Sequence, residues 1–195
     1  MKQAKEIVGT DTSKNALEWI RETLQRHFAE VLALRDDALD SVDIEGVHQM
    51  RVVIRRLRSA LCNFSFLMKS NPFKESKKDL KRLANTLGTA RDQDVAILAL
   101  EKLHNKAKNE RIKKNLAEKI EKHRIVREEI QKELNKILDV SLLENLRENF
   151  SKALNKVNKK NVRVAKLTAG EAGREVISKN IHEFCRLEGK SFQSI

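Results

Sequence analysis

The sequence contains no tyrosine, one tryptophan, one proline, six glycines and two cysteines among 195 residues. Each shortage excludes something. Seven Gly and Pro positions are too few to punctuate the turns of a sandwich or barrel, so the chain reads as all-helical. Cys62 and Cys185 lie far apart with no Cys-x-x-Cys spacing, which excludes a disulfide framework and a zinc knuckle and leaves small core thiols as the expectation. No apolar run approaches the roughly 20 residues that a bilayer span needs, and Met1 to Thr10 lack the apolar stretch of a secretory signal. No membrane association is expected, and a cytoplasmic location follows. Scarce aromatics also leave few platforms on which unpaired bases could stack.

What the chain has in abundance is charge. Forty Lys and Arg against 28 Asp and Glu give +12, while 40% apolar residues suffice for a packed core. The excess is blocked rather than scattered: residues 1–45 are net −4, 46–82 are +8, 102–136 are +6 and 152–166 are +6. Like-signed blocks on helices build a field over one face that draws in a polyanion. The plainer reading is a set of solvated faces.

Apolar spacing of three and four marks the helices. A first one, capped by Asp11 or Ser13, carries Leu17, Ile20, Leu24, Phe28, Val31 and Leu34. A second is expected from Val47 to Met68 with Met50, Ile54, Leu57, Leu61 and Phe64. Ser76 and Asp79 resemble a capping box that opens a third with Leu80, Leu83, Ala84 and Leu87, ended or bent by Gly88. Asp92 or Asp94 caps a fourth with Val95, Leu98 and Leu103. One long helix is expected over 109–138, another over 141–157, then a basic link and a last helix from Thr168. The organisation is one antiparallel bundle over 1–195: an acidic helix and connection over 1–45, a first half over 46–108, and a long helix with a partial second half over 109–195.

At 100° per residue, His48, Arg51, Arg55 and Arg58 fall within about 80° of arc beside the apolar stripe, and Arg56 stands on the other side of His48. A guanidinium is always charged and presents a planar fork to phosphate oxygens, so a ladder at one-turn spacing suits an extended chain of phosphates. The competing reading pairs these arginines with Asp36, Asp37, Asp40 or Asp43. A second cluster adds Lys77, Lys78, Lys81 and Arg82, followed by Arg91. There is no His-x-x-x-His or Glu-x-x-His ligand spacing, no Gly-rich phosphate cradle and no nucleophile beside a histidine. No metal, no cofactor and no catalysis are expected.

The pattern V-H-x-M-R-x-x-x-R-R-L-R over Val47–Arg58, with L-x-x-L-A-x-x-L-G-x-x-R-D-x-D-V over Leu80–Val95, resembles the CHAD family of histidine-containing α-helical domains. The resemblance implies two related helical bundles flanking a basic groove that binds inorganic polyphosphate without hydrolysing it, and an association with polyphosphate granules. It covers about 45 to 195 and weakens in the second half. In I-H-E-F-C-R-L-E-G-K-S-F-Q-S-I from Ile181, His182 and Lys190 match, whereas Cys185, Gln193 and Ser194 replace the expected Arg, Arg and Tyr. The second half is expected to be incomplete: a fragment, a diverged member, or one completed by forming a homodimer. The resemblance assigns ligand contact to His48, Arg51, Arg55, Arg56, Arg58, Lys81, Arg82, Arg91, His182 and Lys190. The alternatives are a helical protein that binds RNA or DNA backbone, and a helical interaction scaffold without ligand.

Overall fold

Helix α1 (Ala16–Ala33) forms along the predicted stripe, and its Leu17, Ile20, Leu24, Phe28 and Val31 are buried. The computed structural model describes residues 11–40, 44–65, 73–160 and 164–191, the side chains of 157–160 and 187–191 excepted. Asn15 caps α1, its side chain accepting from the backbone of Leu17 and Glu18; the expected caps Asp11 and Ser13 bond each other instead. A short α2 (Arg35–Leu39) leads into α3 (Ile44–Ser65), which buries Val47, Met50, Ile54, Leu57, Leu61 and Phe64. The expected extension of this helix to Met68 lies outside the described residues. Helices α4 (Lys74–Lys106) and α5 (Glu110–Ile137) pair as an antiparallel hairpin, with Asn109 capping α5. Then come α6 (Val140–Lys160), a 3-10 turn (Val164–Lys166) and α7 (Ala169–Ser191).

One core joins these helices. Leu80, Leu83 and Leu87 of α4, Leu134 of α5 and Leu143, Leu146, Phe150 and Leu154 of α6 pack with the stripes of α1 and α3. Phe150 stacks on Phe28 with ring centroids 4.4 Å apart and meets Phe73 at 5.2 Å. Each such side chain contributes about 1.5–3 kcal/mol of burial. The chain also closes on itself. Asn15 and Thr168 form an antiparallel bridge, flanked by Ala16 N to Leu167 O at 3.0 Å, Ala169 N to Lys14 O at 2.7 Å and Gly170 N to Thr12 O at 3.0 Å. Thr168 and Glu171 then make a reciprocal capping box that starts α7.

Several expectations are corrected. The chain does not break at Gly88: α4 is one unbroken helix of 33 residues, beginning after Phe73 with no side-chain cap, and Ser76 is buried. Asp92 and Asp94 therefore cap nothing. Val95, Leu98 and Leu103 of α4 and Ile112 of α5 are exposed, because the outer part of the α4–α5 hairpin extends past the bundle as an arm. Cys62 and Cys185 are exposed, not core thiols. Among the described residues no helix is long and apolar enough to cross a membrane.

Candidate functional site

Arg51, Arg55 and Arg58 project from one edge of α3 into a groove whose other wall is Ala84, Asn85, Gly88, Thr89 and Asp92 of α4, with a volume of about 550 Å³. A second hollow of about 460 Å³ continues it, lined by the same Arg55 and Arg58 with Ser59, Cys62, Lys77 and Lys81. Sharing two arginines, the hollows form one trough. It runs along antiparallel helices, so advancing from Arg51 to Cys62 on α3 means retreating from Asp92 to Lys77 on α4. At 1.5 Å per residue the α3 wall from Arg51 to Cys62 is about 17 Å long.

Arg51 lies across α4 at Gly88, where an added Cβ would make only ordinary contact, 3.9 Å from Arg51 Nε. Arg51 and Arg58 are half-buried and Arg55 is exposed. Among the described residues no ion pair within 4.0 Å joins Arg51, Arg55, Arg56 or Arg58 to a carboxylate. Asp36 is taken by Arg35 at 2.6 Å, and Asp43 lies outside the described residues. Among the described residues Asp92 is the single acid lining the trough. Burial lowers the Lys77 ammonium below its ordinary value, with Cys62 opposing that shift.

His48 and Arg91 sit beside the trough rather than in it. The register that sets Gly88 against Arg51 brings Arg91, one turn on, level with His48. Both are half-buried, and His48 Nδ1 and Arg91 Nη1 are buried without a hydrogen-bond partner among the described residues. Any ligand contact from His48 therefore falls to Nε2. Arg56 and Arg82 are exposed but outside the trough, Arg56 standing about 140° round α3 from Arg51. His182 is exposed on α7. Asn180 Nδ2 reaches Asn63 Oδ1 of α3 at 3.4 Å, and a step of two residues turns about 200°, so His182 faces away from α3. Lys190 falls within α7, its side chain outside those described.

Sequence reasoning missed the far wall: Asn85, Thr89 and the gap at Gly88, together with Ser59 and Cys62. Counting a 100° phase through Gly88 without a break would have placed Lys77, Lys81, Ala84, Asn85, Gly88 and Asp92 on one face of α4. Asp94 also has a different role from the cap expected of it. It is buried, and its Oδ1 accepts from Arg127 Nε of α5 at 2.8 Å. Arg127 Nη1 bonds Gln131 Oε1 at 2.7 Å, and Gln131 Nε2 reaches the Leu39 carbonyl at 3.2 Å. Among the described residues no three His, Cys, Asp or Glu side chains are grouped to hold a metal ion.

Comparison with known proteins adds one finding. The family model described as CHAD domain matches residues 22–192. No curated protein and no solved structure matches the chain.

Proposed function

The chain belongs to the CHAD family, and on that footing we propose that its α3–α4 trough binds inorganic polyphosphate and holds it without hydrolysing it. The observation that carries this reading is the open row of Arg51, Arg55 and Arg58 with no carboxylate partner among the described residues. Three planar forks one turn apart match a chain of anionic groups, and the trough wall is longer than any single phosphate. Guanidinium groups hold charge at every physiological pH and neither give nor take a proton, which suits retention rather than turnover.

Composition favours polyphosphate over RNA. Among the described residues no aromatic side chain lines the trough, and Phe184 on α7 is the one strongly exposed aromatic. A site that read unpaired bases would present stacking platforms beside its cations. The reading places the protein in the cytoplasm, on the granules where the polymer is stored.

The test is competition between long inorganic polyphosphate and tRNA at about 150 mM salt, where exposed charges are screened beyond about 8 Å. Polyphosphate is expected to win, and Arg51→Ala with Arg55→Ala to reduce the log–log salt slope by roughly one to two. RNA outcompeting polyphosphate refutes the assignment. Phosphate released from the bound polymer in proportion to protein refutes the absence of turnover.

A further inference from the structure

The α4–α5 arm ends in a second cationic surface. From Lys102 to Lys114 the chain carries six Lys and Arg and one acid, Glu110, which Lys113 neutralises at 2.8 Å. Lys102, Lys106, Lys108, Arg111 and Lys114 are all exposed, and none has an ion-pair partner among the described residues. Five uncompensated cations so close together destabilise the tip by mutual repulsion, a cost that an arriving polyanion removes.

The unbroken course of α4 fixes where that surface faces. Lys106 is eighteen residues beyond Gly88, five full turns, and so returns to the same face; Lys102 lies about 40° from it. The tip therefore looks out over the side that carries the trough, about 27 Å away along the helix axis. Asp92, Val95 and Ala99 occupy the face between and supply no positive charge. The two surfaces are separate.

We propose that the arm tip is a second phosphate-binding site, engaged by the far part of a polyphosphate chain whose near part lies in the trough. The proposal rests on the trough reading and adds the class of chain that the protein selects. A tethered second contact works through effective concentration: it strengthens binding only for ligands long enough to reach both sites. Tripolyphosphate is too short to do so. Long-chain polyphosphate is not.

The experiment measures the affinity of both ligands for the whole chain, for Lys102→Gln/Lys106→Gln/Lys108→Gln/Arg111→Gln at the tip, and for Arg51→Ala/Arg55→Ala in the trough. Helicity and melting temperature confirm that each variant folds. The tip variant is expected to lose at least tenfold in affinity for long chains and to bind tripolyphosphate within twofold of the parent. Unchanged long-chain affinity in the tip variant overturns the proposal, as does an equal loss on both ligands. The trough reading stands or falls separately, on whether the Arg51/Arg55 variant weakens tripolyphosphate.

Discussion

Arg127 of α5 and Asp94 of α4 form an ion pair at 2.8 Å with side chains only 11% and 3% exposed. It roots the arm in the bundle, because Gln131, bonded to the same guanidinium, reaches back to the Leu39 carbonyl at the end of α2. Removing one partner leaves a buried charge alone. Asp94→Ala is expected to cost about 3 kcal/mol. Replacing both, as Asp94→Ala with Arg127→Met, is expected to cost less than Asp94→Ala alone. Urea unfolding of the two variants checks this, and a double variant less stable than the single one contradicts it.

The glycines separate close approach from mere presence. A Cβ at Gly46 would lie 1.9 Å from the Asp37 carbonyl oxygen, whereas at Gly173 nothing lies within 4 Å. Gly46→Ala must push α2 off α3 and is expected to cost about 1–3 kcal/mol. Gly173→Ala, inside α7, is expected to stabilise by about 0.5–1 kcal/mol. Thermal melts of the two variants should move in opposite directions.

Phe150 holds α6 to the rest of the core through its contacts with Phe28 and Phe73. It is 1% exposed. Phe150→Ala is expected to cost about 3–5 kcal/mol. Denaturant titration followed by circular dichroism checks the value, and a loss under about 1 kcal/mol would mean that α6 is not part of the cooperative unit.

His48 stands beside the arginine row, level with Arg91, and its Nδ1 is buried without a hydrogen-bond partner among the described residues. His48→Ala is expected to weaken polyphosphate binding about fivefold, the loss of one hydrogen bond of about 1 kcal/mol. Unchanged affinity in a variant that melts like the parent refutes a ligand contact from His48.

The parts of this molecule that lie within one helix were readable from sequence. The stripes of α1 and α3 repeat every three to four residues and both are buried as expected; the arginine row on α3 follows from the same repeat. Features that need a neighbour were not readable. A single glycine lowers helix stability by about 1 kcal/mol, too little to stop a helix that packs on α3 and α5, so α4 runs through Gly88. Val95 and Leu103 have the spacing of a core stripe, yet the bundle does not reach them. Asp94 resembles a cap until α5 supplies Arg127. The far wall of the trough required the register of α3 against α4, which no local pattern specifies.

The bridge at Asn15 and Thr168 bears on synthesis. Asn15 Nδ2 donates to the Ala165 carbonyl across 150 positions of chain, so the start of α1 stays unanchored until residues 164–170 have left the ribosome. Contacts that distant form late. The apolar stripe of α1 can pack on α3 well before that, so what waits for residues 164–170 is the fastening of its first turn to the start of α7.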